Sequence, residues 1–127
     1  LKRGAVAVSI AHDSHNIIVA GTNNGDMAAA VKALETQKGG MAIVLDGQVL
    51  AAIPLPIAGL MSDQPAAAVD AAMDELYAKA HHILGVSDDV DVIMTLCFMS
   101  LPVIPKLKLL DTGLFDVEAF DFVPVEL

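Results

Sequence analysis

The 127 residues contain no Trp, one Tyr and one Cys, and they carry only seven Lys and Arg against sixteen Asp and Glu. Each scarcity removes a class of function. A formal net charge of −9 repels a phosphate backbone, and no basic stripe interleaves with aromatic residues, which argues against a nucleic-acid partner. Cys97 has no second thiol in the chain to pair with. Within the apolar run of residues 92–101 it reads as a small buried hydrophobe, consistent with a reducing, cytoplasmic setting. No stretch reaches the length of a membrane span without a charge or a Pro. Also absent are low-complexity segments, convincing repeats and the succession of charge, apolar run and cleavage site that marks a signal peptide. The chain starts at Leu1 and reads as a piece of a longer polypeptide.

Aliphatic residues are what is abundant. The hydrophobic fraction is 55%, and 127 residues suffice for one domain, spanning 1–127, with a core that needs no staples. So apolar a small domain is expected to hide more than its own core, so a docking face or homo-oligomer contact is anticipated.

The pattern along the chain predicts an α/β fold of the α+β type: a largely antiparallel sheet packed with two main helices as a two-layer sandwich. Residues 5–10 and 17–20 read as strands, from Val6, Val8 and Ile10 and from the β-branched run Ile17, Ile18 and Val19. A helix should begin near Asn23, a cap, with Asp26 at the positive end of its dipole, and Gly39 and Gly40 should stop it. Asp46-Gly47 between residues 41–45 and 48–53 is a type I′ hairpin signal. A second helix follows, capped by Ser62 or Asp63, with Pro65 in its first turn. Val69, Met73, Leu76, Tyr77, Ala80 and Leu84 line one face of it, and Gly85 closes it. Residues 92–101 read as a buried strand, followed by a turn at Asp111-Thr112-Gly113 and a short apolar segment over 120–125. The six Met residues are scattered and suit gap filling, whereas His81 and His82 complement the negative end of the second helix.

Chemistry concentrates in the hexad Ala11-His12-Asp13-Ser14-His15-Asn16, wedged between the first two strands. Two imidazoles, a carboxylate, a hydroxyl and a carboxamide supply proton donors, proton acceptors and metal-ligating atoms within five positions. The plainer reading is a turn in which Asp13, Ser14 and Asn16 bond to nearby backbone. A metal site made by the hexad alone lacks ligands, because His12 and His15 diverge in an extended chain and only Asp13 stands beside them.

The order of several motifs carries a family resemblance. Gly4-Ala5-Val6-Ala7, the hexad, Val19-Ala20-Gly21-Thr22-Asn23, Leu55-Pro56-Ile57-Ala58-Gly59-Leu60-Met61-Ser62-Asp63 and Leu101-Pro102-Val103-Ile104-Pro105-Lys106-Leu107-Lys108 span nearly the whole chain. Together they resemble the C-terminal domain of bacterial and archaeal adenine deaminases, of the amidohydrolase superfamily. The resemblance implies a parent hydrolase of purine metabolism and adenine catabolism that converts adenine and water to hypoxanthine and ammonia. It implies a divalent metal pair, manganese or iron, held in an N-terminal barrel of the same polypeptide. The His-x-His pair of that barrel is absent from these residues, so the isolated chain is expected to be inactive. Expected roles are closure of the active site with His12 and Asp13 as catalytic groups, and Ser14, His15, Asn16, Ser62 and Asp63 facing the substrate or supporting those that do. Two other classes stand beside this one: a noncatalytic structural or oligomerisation module, and a free-standing small-molecule-binding domain.

Overall fold

The computed structural model describes residues 1–126. Its centre is a four-stranded antiparallel sheet in the order β2-β1-β3-β4, built from β1 (Ala5–Val8), β2 (Ile18–Gly21), β3 (Gly40–Leu45) and β4 (Gln48–Pro54). Helix α1 (Asn24–Gln37) follows β2, helix α2 (Ala66–His82) and the short α3 (Val92–Cys97) follow β4, and β5 (Leu107–Leu110), β6 (Gly113–Asp116) and β7 (Asp121–Val123) form a second antiparallel sheet. The expected α+β sandwich of antiparallel sheet and two main helices is present.

Strand alternation sorts the core. Ala5, Ala7, Ala42 and Val44 face Ala30 and Leu34 of α1, where small strand residues let the helix approach closely. Val6, Val8, Met41, Ile43 and Ile53 point the other way, onto Leu76 and Ala80 of α2, Leu84 beyond it, and Val92, Ile93, Leu96 and Cys97 of α3. Burying each of Leu34, Leu76 and Leu84 completely stabilises the fold by about 1.5–3 kcal/mol. Both faces of β1 are therefore covered, which explains why its four residues are all buried.

The local signals at α1 and the first hairpin hold. The Asn23 carboxamide oxygen accepts from the Asp26 backbone N–H at 2.8 Å, and the chain leaves the helix through left-handed Lys38, with the Gly39 N–H donating to the Leu34 carbonyl. Asp46 and Gly47 both have positive φ, as a type I′ turn demands. Asp26 joins the two elements: its carboxylate accepts from Asn23 Nδ2 at 2.8 Å and from the Gly47 N–H at 2.7 Å. The Asn23 side chain first, then the Gly47 and Asp46 backbone, hold this carboxyl below its ordinary pKa. A carboxyl lowered by folding stabilises the native state fully above about pH 4, and that contribution is lost as pH falls through the lowered native value. Asn23→Ala removes both a helix cap and a carboxylate partner. It should cost about 0.5–2 kcal/mol in urea unfolding at neutral pH.

Two expectations are corrected. Residues 92–101 do not form a strand, because Asp91 caps a helix by accepting from the Met94 N–H at 2.9 Å and from the Tyr77 hydroxyl at 2.7 Å. Val92, Ile93, Leu96 and Cys97 then share the buried side while Met94 and Thr95 lie outside. Nor do Ser62 and Asp63 cap α2. Pro65 occupies that position, with no side-chain cap bond, and its carbonyl accepts from Ala68 and Val69. The fixed φ of Pro65 sets the entry into the helix, which leaves Ser62 too far upstream to reach its first free N–H groups.

Candidate functional site

The sheet register gathers the two motif-bearing loops at one end of the molecule. Val8 pairs with Ile18 and with Met41, and Gly40 pairs with Pro54, so the hexad, the Gly39-Gly40 link and the segment after β4 all emerge at the same end of the strands. Ser9 fastens them. Its N–H donates to the Gly40 carbonyl at 2.9 Å, its hydroxyl oxygen accepts from the Gly40 N–H at 2.7 Å, and the hydroxyl donates to the Gly59 carbonyl at 2.6 Å. Ser9 is itself buried, so these bonds are shielded from competing water.

Within the hexad the backbone is held while the side chains stay free. Ala11 is fully buried, the His12 N–H donates to the Cys97 carbonyl at 2.8 Å, and the His15 N–H closes a turn onto the Ala11 carbonyl at 2.6 Å. His15 adopts a positive φ of 52°, an uncommon conformation for a residue with a side chain. His12, Asp13, Ser14, His15 and Asn16 are all exposed. The His12 ring stands edge-on to Phe98 at 5.6 Å, which limits its rotation, and the Ser14 hydroxyl donates to Asn16 Oδ1 at 2.9 Å. The turn is closed by backbone and by one side-chain pair, without the expected bonds from Asp13, Ser14 and Asn16 side chains to backbone among the described residues, and the two imidazoles and the carboxylate are exposed.

Sequence reasoning missed the partners of this loop. The stretch after α3 stitches it to the second sheet, because the Leu109 N–H donates to the Met99 carbonyl at 2.9 Å while Cys97 holds His12. Between them lies a cavity of about 350 Å³ lined by Ser14, Asn16, Ser100, Leu110 and Asp111. Ser100 is 8% exposed, and its hydroxyl oxygen is buried with no hydrogen-bond partner among the described residues. A lone Ser in an apolar run and an Asp in a turn carry no sequence signal that would link either to residues 14–16.

Ser62 and Asp63 sit at the same end of the sheet but serve their own loop. The Ser62 oxygen accepts from the Gln64 N–H at 3.1 Å, and Asp63 accepts from the Gln64 side chain at 2.8 Å. Among the described residues, no hydrogen bond joins them to the hexad. His81 lies in the last turn of α2, stacked on Tyr77, as its placement at a helix end predicts. The Cys97 thiol is pushed up by burial and then by the Asp91 carboxylate, which suits a packing role rather than a nucleophile. Among the described residues no three His, Cys, Asp or Glu side chains stand close enough to share a cation, so the hexad does not fit a metal centre of its own.

The family model described as adenine deaminase C-terminal domain matches residues 1–121. The chain is 56% identical over 126 residues to adenine deaminase 2 of Desulfotalea psychrophila, covering 99% of this chain. It is 54% identical over 125 residues to the adenine deaminase of Nitratidesulfovibrio vulgaris, and 53% over 127 residues to adenine deaminase 2 of Carboxydothermus hydrogenoformans, covering 98% and 100% of this chain. It spans 22% of the length of each of these relatives.

Proposed function

Because this chain belongs to the adenine deaminase C-terminal domain family, we propose that it closes the active site of a deaminase that converts adenine and water to hypoxanthine and ammonia. The observation that carries this reading is the pinned hexad, whose backbone is fixed by Ala11 and Cys97 while its polar side chains are exposed. A rigid loop with free imidazoles and a carboxylate is what proton transfer to a docked substrate requires. In the reaction, water oxygen bonds to the amine-bearing carbon, the carbon–nitrogen bond breaks, and the departing nitrogen takes up a proton to leave as ammonia. His12 and Asp13 hold and move that proton. Ser14, His15 and Asn16 orient the purine, while Ser62 and Asp63, at the same end of the domain, face the docked substrate from their own loop. The metal pair, manganese or iron, would be held by the portion of the parent outside this chain, and the parent would work in the cytoplasm.

Docking surface is supported by the second sheet. Leu107 and Leu109 are about half exposed, Phe122 is similarly open, and Val103 and Phe120 are largely uncovered. Leu107 and Leu109 share one face of that sheet, and Phe120 and Phe122 pack around Phe115 on the other; exposed apolar side chains of this kind on a small domain fit burial against the rest of the polypeptide or a neighbouring subunit.

Carbethoxylation of histidine tests the site reading. In the purified chain, diethyl pyrocarbonate should modify His12 and His15 freely, and the chain alone should release no ammonia from adenine. In the full-length parent, saturating hypoxanthine should protect both residues while leaving His82 reactive. Equal modification of His12 and His15 with and without hypoxanthine would place the loop away from the substrate.

A further inference from the structure

The two faces of the four-stranded sheet are covered unequally. Neighbouring strands lie about 4.8 Å apart and a helix with its side chains is about 10 Å across, so a single helix cannot roof four strands. One face is covered by α2 and α3 together, and Lys79 of α2 donates to the Leu50 carbonyl of edge strand β4 at 2.7 Å. On the other face α1 stands alone. Its Ala30 and Leu34 pack on Ala5, Ala7, Ala42 and Val44 of the two central strands, which leaves β4 open beside it. Val49 pairs with Val44 and Ala52 with Ala42, so both side chains belong to the α1 face, and both are exposed. Between them and α1 runs a groove of about 450 Å³. Among the described residues Lys32 is the only charged group that lines it.

The groove runs the length of the domain. Gly47 lies in it at the end where β1 begins, and Gln37 lies in it at the end where β1 delivers the hexad. Residues 2 and 3 are tied to the first of these ends, since their N–H groups donate to the Leu84 carbonyl at 3.0 and 3.2 Å. The family is a C-terminal domain, and the chain spans 22% of the length of its relatives, so the greater part of such a parent joins at that end. The hexad, which the proposed function sets against the active site of that greater part, is at the far end. A body attached at one end and met at the other has to lie along the domain, and the groove is an uncovered apolar path between the two.

We propose that the groove between α1 and β4 seats an apolar segment of the parent polypeptide N-terminal to residue 1, and that this contact holds the hexad in place. The assignment rests on the proposed function for the position of the hexad, and it adds the surface that fixes that position. The walls select the occupant: a charged segment would be desolvated there with only Lys32 to meet it, whereas aliphatic side chains bury Val49 and Ala52 without that cost. The opposite flank of α1, over β2, holds both charges of the Lys32–Glu35 ion pair, which docking would desolvate.

Thiol labelling of the full-length parent tests the seat. Ala52→Cys and Asp74→Cys each put a thiol at a position that is exposed in this domain, the second on α2, and the native Cys97 is buried. In the native parent a maleimide should modify Ala52→Cys about 10-fold or more slowly than Asp74→Cys, because a covered thiol reacts only when the contact opens, and in urea the two should react alike. Adding Val49→Glu to Ala52→Cys should abolish the protection, speed proteolysis at the junction before residue 1 and lower turnover of adenine about 10-fold or more through misplacement of the loop. Equal labelling of Ala52→Cys and Asp74→Cys in the native parent overturns the assignment. Protection that vanishes on dilution to single subunits also overturns it, since a second copy is then the occupant. Equal labelling while changes at His12 and Asp13 abolish turnover removes the seat and leaves the proposed function standing. Protection of Ala52→Cys beside hexad variants of full turnover supports the docked segment and overturns the proton-handling role.

Discussion

Replacing His12 or Asp13 by Ala in the full-length parent should lower turnover of adenine by about 100-fold to 10,000-fold, the usual cost of removing one positioned acid or base. The effect should fall on kcat and kcat/KM together, because a proton is moved only as the transition state forms. Folding and bound metal should remain near those of the parent. Both side chains are exposed, and neither makes a side-chain hydrogen bond among the described residues, so their removal opens no cavity and strands no buried partner. Circular dichroism and metal analysis of the same preparations separate this outcome from collapse of the loop. His81→Ala is the matched control, since that imidazole lies in the last turn of α2 beside the Val86 carbonyl and Asp88. Near-normal turnover in the hexad variants, or loss of metal and fold together with activity, would sink the substrate-facing role and leave the loop a structural turn.

Gly40→Ala should destabilise the chain by about 2–6 kcal/mol in urea unfolding, through backbone strain and overpacking acting together. Gly40 has a φ of 120°, and a Cβ there would collide with the Ile53 carbonyl oxygen while lying 2.9 Å from the Leu55 nitrogen. Both obstacles are backbone of the neighbouring strand and its exit, so neither can swing aside. The damage also reaches the site, because Gly40 is one of the groups through which Ser9 ties the hexad end of β1 to Gly59. Gly47→Ala provides the comparison. Its φ of 74° carries a similar handedness, but an added Cβ meets nothing within 4 Å, so only the conformational cost of about 1–2 kcal/mol applies. Equal losses at the two positions would show that the close approach of β4 to Gly40 is unimportant.

The exposure of the candidate loop was legible in the sequence. A polar hexad between two apolar runs announces an exposed loop, since no core accepts five such side chains without partners, and the structure exposes all five. The residues that complete the cavity were not legible. Ser100 lies beside an apolar run and Asp111 inside a turn signal, and each taken alone is satisfied by an ordinary structural account.

What the sequence by itself determined are the features whose cause lies within a few residues: the Asn23 cap, the Asp46-Gly47 turn, the apolar face of α2 and the polar loop at the end of β1. Capping bonds and positive φ are paid back locally, so they leave a local trace. The tertiary structure alone decided whether residues 92–97 became helix or strand, because a short buried apolar run satisfies either period and only Asp91, held by Tyr77 from α2, gives the helix its start. It alone placed α1 and α2 on opposite faces of the sheet, and it alone set Ser100 and Asp111 against Ser14 and Asn16. Those arrangements are fixed by contacts between segments from some 25 positions apart, for α1 against β1, to some 85 to 100, for the hexad against residues 100–111, where burial and backbone pairing act on the folded chain as a whole and no neighbouring residue records the outcome.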